Sequence, residues 1–365
     1  MKTPWFIDET LRDGVQPLGK TFSAAQRIVF VRLLAVAGVQ EAIIGIPAQG
    51  PAEIKIIREV VAARPALRLT VWCRARKEDI LAAQKTGVRA VHISFPVSEL
   101  LQDIFHMSHH KVIDDLSTLV AFAREYFDYI SIGFQDVSRV SHSQLSDYVV
   151  AASNLKVQRI RLADTVGILT PEKTKQLIWF VKALAPHTQI EFHAHNDYGL
   201  ATINSLIALQ SGATAVSVTI NGIGERAGNA AFEEVVLGME NLYNQKTTIN
   251  IRMLVPLSKY VVCMTGWHLS RNKPVTGRNI TCHTSGIHCH GLLQNICSYQ
   301  PFNPVLVGHD GTEIVLGTHS GKSALHGFIK QTKCTCFESF FKIILKWIVK
   351  IPFFPRVRFF IHTPE

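Results

Sequence analysis

The sequence predicts an α/β chain: a (β/α)8 TIM barrel followed by a small, mainly helical C-terminal subdomain. Three observations carry this. Short apolar, β-branched runs recur at wide spacing, amphipathic stretches separate them, and the rhythm completes eight units near Tyr243. Parallel neighbours need long crossovers, so strands alternating with helical patterns call for a parallel sheet. Eight such units match the length of a closed barrel. An open doubly wound sheet is the competing architecture, and no glycine-rich phosphate loop after a strand supports it.

In chain order the strand runs are residues 5–8, 41–46, 69–73, 90–95, 129–134, 159–163, 190–193 and 215–220. Helical patterns fill residues 23–37, 52–63 and 171–184, and Thr170 before Pro171 reads as an N-cap with proline in the first helical position. From Asn244 the rhythm is lost in favour of Gly, Pro, His and Cys. The predicted organisation is therefore a barrel over 1–243, a linker and small helical subdomain over 244–325, and a tail over 326–365. In that tail Lys342, Lys346 and Lys350 fall four apart and would form one charged stripe of an amphipathic helix. Such a helix is the only feature that suggests contact with a membrane surface.

Composition narrows the function classes. At 47% hydrophobic over 365 residues the chain can close a sizeable core. The N-terminus shows no apolar signal-peptide core, and no run reaches the ~18 apolar residues of a membrane span. Seven scattered cysteines, an odd number, argue against a disulfide framework and for a reducing cytoplasm. Cys73 and Cys263 read as buried small apolar residues. The net charge is +10, of which the seven Lys/Arg and two Glu beyond residue 325 supply +5. A mildly basic body without an aromatic-interleaved stripe excludes nucleic acid as the expected partner and suits an acidic small molecule.

Three segments carry chemistry. In IEFHAHNDYG, His193 and His195 sit two apart at a strand end, so both face the barrel mouth. Asn196 and Asp197 offer acceptors for the ring N–H groups. In DETLRDGVQ, after the first strand, Arg12 and Asp13 are adjacent. Asp13 completes a two-histidine, one-carboxylate set with open positions, and Arg12 can hold an oxygen on which charge develops. In NGIGERAGN, after the eighth strand, three glycines permit close backbone approach to a ligand, Asn221 falls at the strand end, and Glu225 and Arg226 can pair. Cys282, Cys289 and Cys297 with His283, His288 and His290 lack the spacing of a structural zinc site.

These segments, in this order, resemble the acyl-CoA-condensing metalloenzymes with a DRE-type TIM barrel: the isopropylmalate, citramalate and homocitrate synthases, with hydroxymethylglutaryl-CoA lyases further off. HISFPVS at 92–98, RLADTVGILTPE at 161–172, SGIHCHG at 285–291 and VLGTHSGKSAL at 315–325 extend the similarity over about residues 3–325. Within the group these runs look most like the homocitrate synthase of nitrogen-fixing organisms. The resemblance implies a divalent metal (Zn, Mn, Mg or Fe(II)) on Asp13, His193 and His195, with Asn221 nearby. It implies that Arg12 polarises the oxo group and that Gln16, His92 and Thr165 contact substrate. His288 would serve acid–base chemistry, in this family from a neighbouring subunit, so a homodimer is implied. The implied reaction condenses acetyl-CoA with 2-oxoglutarate to homocitrate, in support of nitrogenase cofactor synthesis. Another 2-oxo acid is the alternative. Three departures bear on it: Val15 and Gln135 stand where the family usually has glutamate, and His290 where it has aspartate. A catalytically weakened family member is therefore the other reading.

Overall fold

In the computed structural model, residues 3–19, 22–316, 324, 327 and 358–361 are described. Eight strands form a closed parallel barrel: β1 (Trp5–Asp8), β2 (Glu41–Ile43), β3 (Arg68–Arg74), β4 (Ala90–Pro96), β5 (Tyr129–Gln135), β6 (Arg159–Asp164), β7 (Gln189–Ala194) and β8 (Ala215–Val218). Closure is made by β1, which pairs with β2 on one side and β8 on the other. Helices α1 (Ala24–Val36), α2 (Pro51–Ala62), α3 (Lys77–Gln84), α4 (Glu99–Ile104), α5 (His109–Ala123), α6 (His142–Asn154), α7 (Pro171–Leu184), α8 (Ala201–Gln210) and α9 (Phe232–Asn241) occupy the crossovers. All eight predicted runs are strands, and the fold class read from their rhythm is the observed one.

Local sequence explains the frame. Helix α7 starts where expected, with the Thr170 hydroxyl accepting from the Lys173 N–H at 3.3 Å and Pro171 in the first turn. Ser23 and Gln26 form a reciprocal capping box on α1. Strand β4 is buried throughout, as a strand covered on both faces should be. Strand β6 is also buried throughout, although three of its six residues (Arg159, Arg161, Asp164) are charged. Arg159 and Arg161 lie inside the barrel, and their partners define the site, whereas Asp164, on the other face, accepts from the Ile168 and Leu169 N–H groups.

The barrel unit comprises Met1–Asn250 and Leu257–Trp267. The part of helix α10 (Leu254–Thr265) in this unit buries Leu257, Ser258, Val261 and Thr265 along one face. Cys263, expected to be buried, falls off that stripe and is exposed, whereas Cys73 is buried as expected.

The second unit, Ile251–Pro256 with His268–Glu365, carries helix α11 (Gly286–Gln294) and several 3-10 turns. A three-stranded sheet joins them: β10 (Thr312–Val315) pairs parallel with β9 (Cys282–His283) and antiparallel with β11 (Arg358–Ile361). Cys289, Ile314, Leu316, Ala324 and Phe359 form its core. The helix expected around Lys342, Lys346 and Lys350 lies outside the described residues. Among the described residues no helix is long and apolar enough to cross a membrane.

Candidate active site

Strand β7 sends Glu191 and His193 into the barrel, and His195 follows just past its end at the same period of two. Across the mouth, the chain after β1 folds into a tight turn in which the Arg12, Asp13 and Gly14 N–H groups all donate to the Glu9 carbonyl at 2.9–3.1 Å. That turn presents Asp13 to the two histidines. Asp13 Oδ2 lies 3.6 Å from His193 Nε2 and 3.8 Å from His195 Nε2, and the two Nε2 atoms are 3.4 Å apart. All three side chains are buried.

Burial alone would raise the Asp13 pKa, but Arg12, then His193 and His195, outweigh it and hold the carboxyl well below the usual range. Burial, with the neighbouring His195 and Arg12, keeps His193 neutral, and burial does the same for His195. Neutral imidazole and ionised carboxylate are the ligand forms of these groups. Both Nδ1 atoms are buried without a partner. A proton on each Nδ1 leaves two Nε2 lone pairs and a carboxylate oxygen converging on one point, an arrangement that a cation relieves. Bonds of about 2.1 Å at angles of 90–110° separate ligand atoms by roughly 3.0–3.4 Å, close to the spacing here. The residues therefore fit a divalent ion, and among the described residues no other group of His, Cys, Asp and Glu converges in this way.

Arg12 joins this set to a string of buried charges that sequence reasoning missed. Its Nη1 lies 3.0 Å from Asp13 Oδ2 and its Nε 2.6 Å from Glu9 Oε2. Glu9 Oε1 meets Arg161 Nη1 at 2.6 Å, and Arg161 Nε meets Glu191 Oε1 at 2.6 Å. Glu191 Oε2 meets Arg159 Nε at 2.7 Å, and Arg159 Nη2 meets Glu41 Oε1 at 2.6 Å. Arg68 ends the string on Glu41 Oε2 at 3.2 Å. Charged residues in a strand read as surface positions; the signal here was their spacing of two, R-I-R in β6 and E-F-H-A-H along β7.

A cavity of about 190 Å³ opens beside the triad, lined by Arg12, Trp72, His92, Ser94, Gly133, Gln135, Arg161, Thr165, His193 and His195 among others. It is smaller than the roughly 300–1,000 Å³ of pockets for drug-sized ligands, and suits a small molecule. Gly133 makes the room: a Cβ there would stand 2.4 Å from His92 Nε2 and 3.3 Å from Ser94 Oγ. His92 is fixed by a 2.9 Å contact between Nδ1 and Ser131 Oγ, and burial followed by Arg161 holds its pKa well below the ordinary value.

The remaining predicted residues divide. Thr165 lines the cavity, its hydroxyl accepting from the Asp136 N–H at 2.8 Å. Gln16 instead lines a neighbouring cavity of about 280 Å³ that Arg12 also borders. Asn221, expected beside the ion, spends its amide on Ser258: Oδ1 accepts from the hydroxyl at 2.5 Å and Nδ2 donates to the carbonyl at 3.2 Å. Eight residues on, Asn229 pairs through its backbone with His195, and its buried Oδ1 has no partner. Gly224 lets this approach occur, since a Cβ there would lie 2.0 Å from Asn229 Nδ2 and 3.1 Å from Asp13 Oδ1. Asp197, expected to orient a histidine, binds Arg226 at 2.8 and 2.9 Å; this also displaces the expected Glu225–Arg226 pair, while Asn196 Oδ1 accepts from the Ala201 N–H at 3.1 Å. His288 belongs to the second unit, stacked on Tyr299 with ring centroids 4.1 Å apart.

Residues 3–261 match the family described as HMGL-like, and residues 275–351 match the homocitrate synthase post-HMGL domain-like family. The chain belongs to the HMGL-like family. This HMGL-like protein is 36% identical to homocitrate synthase 1 of Nostoc sp. over 326 residues, covering 89% of this chain and 86% of that one. It is 35% identical to 2-isopropylmalate synthase 2 of Caldanaerobacter subterraneus over 331 residues (90% and 86% covered). It is likewise 35% identical to 2-phosphonomethylmalate synthase of Streptomyces rubellomurinus over 329 residues (90% and 88% covered). Among solved structures, the HMG-CoA lyase of Bacillus subtilis shares the fold at a TM-score of 0.66 and 21% identity, covering 75% of this chain and 98% of that one.

Proposed function

We propose that this HMGL-like protein condenses acetyl-CoA with a 2-oxo acid, and that the acid is 2-oxoglutarate, giving homocitrate and CoA. The observation that carries this reading is the convergence of Asp13, His193 and His195 beside Arg12 at the barrel mouth. A divalent ion held there supplies a Lewis acid for the 2-oxo acid's oxygens. Asn229, with its unpartnered Oδ1, is better placed than Asn221 to complete the ligand set.

The protein's own groups do the rest. Arg12, locked between Glu9 and Asp13, donates to the oxo oxygen as negative charge collects there, with no reorganisation at the moment of reaction. Thr165 and His92 bind the acid from the cavity wall, and Gln16 extends that role from the neighbouring cavity. A base takes a proton from the acetyl methyl group, the methyl carbon bonds to the oxo carbon, and hydrolysis of the thioester releases the CoA thiol. His288, from a second copy of the chain, is assigned to this acid–base work, which makes the working form a homodimer. Gln135 favours a second reading, a weakened enzyme, because it places a neutral amide in the cavity.

A thiol-release assay with acetyl-CoA and a panel of 2-oxo acids, run with Mg2+, Mn2+, Fe2+ and Zn2+, tests both. Metal-dependent release with 2-oxoglutarate supports the proposal. Best turnover with 2-oxoisovalerate sinks the homocitrate reading, and no release with any acid favours the weakened enzyme.

A further inference from the structure

Arg161 is the cavity's one wholly interior cation with a hydrogen-bonding atom left over. Two of its nitrogens face Glu9 and Glu191, yet Nη2 has no hydrogen-bond partner although the side chain is only 3% exposed. A guanidinium serving the ionic string alone has no reason to leave a buried donor unmatched, because such a group carries its full desolvation cost. Its position adds to this. In the pairing of β6 with β7, Ala163 sits opposite His193 and Arg161 opposite Glu191, so Arg161 lies one layer deeper than the triad. Two residues along a strand span roughly 6.6 Å. The four carbon–carbon bonds between the ends of a five-carbon diacid, at about 1.5 Å each, span roughly 5 Å when extended. Gly133, opposite Arg161 in β5, keeps the intervening space free beside His92 and Ser94.

Charge balance points the same way. The string holds four guanidinium groups (Arg12, Arg68, Arg159, Arg161) and four carboxylates (Glu9, Asp13, Glu41, Glu191), and so is neutral by itself. A divalent cation adds two positive charges. A dicarboxylate cancels both, whereas a monocarboxylate leaves one uncompensated in a buried site.

We propose that Arg161 is the specificity-determining residue of this site. Its Nη2, with His92 and Ser94 alongside, receives the second carboxylate of a dicarboxylic 2-oxo acid. This rests on the condensing reading above and narrows its substrate class. Glu9 and Glu191 hold the guanidinium in place, so its fork is ordered before the acid arrives.

The test compares the wild type with Arg161→Gln and Arg161→Lys. Thiol release is measured with 2-oxoglutarate and with 2-oxoisovalerate, and calorimetric binding of each acid is measured with Mg2+ but without acetyl-CoA. The expected result is a loss of roughly 10- to 150-fold in kcat/KM and in affinity for 2-oxoglutarate in Arg161→Gln, the range of a hydrogen bond between charged groups. 2-Oxoisovalerate should lose clearly less than 2-oxoglutarate, its loss being only that of freeing Glu9 beside Arg12, and Arg161→Lys should be intermediate. Equal losses on both acids would show a merely structural role and overturn the assignment. A wild type that prefers 2-oxoisovalerate overturns the substrate class while leaving condensation intact. If no acid releases thiol but 2-oxoglutarate binding still depends on Arg161, the condensing reading fails and the Arg161 assignment stands. Should Arg161→Gln not fold, calorimetry on the wild type decides, and equal affinity for the two acids overturns the proposal.

Discussion

Replacing Gly133 by alanine is the smallest change that reaches the heart of the cavity. The added Cβ would lie 2.4 Å from His92 Nε2 and 2.7 Å from its Cε1, where ordinary contact begins at 3.4 Å. The imidazole must therefore retreat by about 1 Å, or the β5 backbone must. Neither move is free, since His92 is 1% exposed and held by Ser131, and β5 is paired with β4 and β6. Overpacking of this kind costs about 2 kcal/mol, which for a barrel of this size lowers Tm by roughly 4–8 °C. The larger effect falls on chemistry, because a displacement of about 1 Å at a substrate-contacting group can cost on the order of 100-fold in rate. Gly133→Ala should then fold, lose roughly 100-fold in kcat/KM and raise KM for the 2-oxo acid more than KM for acetyl-CoA. Thermal melting and thiol-release kinetics on one preparation read both. If kcat/KM stays within about threefold of wild type while Tm falls as expected, Gly133 matters only to packing and the cavity is not where the acid binds.

Three further outcomes follow from the same geometry. Asp13→Asn should weaken Mn2+ binding by about 100-fold or more, beyond what outer partners of a ligand supply; a calorimetric titration matching the wild type would put the ion elsewhere. Glu191→Gln strips the charge between Arg159 and Arg161 and should cost about 3–5 kcal/mol, read as a lower urea midpoint, and an unchanged midpoint would mean the string adds nothing to stability. Asp8 has its carboxyl pushed up to about 7 by burial, against the pull of its hydrogen bonds from Thr10. Between about pH 4 and 7 the folded protein thus keeps a proton that the unfolded chain releases, so this residue makes stability fall as pH rises through that window. Asp8→Asn should remove that decline, and parallel Tm–pH profiles for the two proteins would refute the assignment.

The barrel was legible because its signal is local. Each strand is a short apolar run, and several crossover helices have their own caps, as at Thr170 and Ser23. The Asp13–His193–His195 set was legible because two histidines at spacing two on a strand end leave few alternatives. The ionic string was not. Glu41 and Arg159 are 118 residues apart, and nothing in either segment announces the other. The different placements of Asn221 and Asn229 also escaped the sequence. Both lie in one glycine-rich loop, and only the backbone path, with Asn221 at φ 64° turned to Ser258, separates them. The small sheet of the second unit depends on β10 meeting β9 and β11, pairings between distant segments too short to carry a pattern of their own.

The string of charges also says something about how the barrel comes together. Glu9 and Glu41 belong to the first quarter of the strands, while the guanidinium groups that neutralise them from within, Arg159 and Arg161, arrive only with the sixth. A chain collapsed around five strands would hold Glu9, Asp13 and Glu41 against Arg12 and Arg68 alone, one counter-charge short, and a buried charge left uncompensated costs several kcal/mol. Partly assembled barrels are thereby penalised, and assembly is pushed toward a single cooperative step in which the last strands and the first are accepted together.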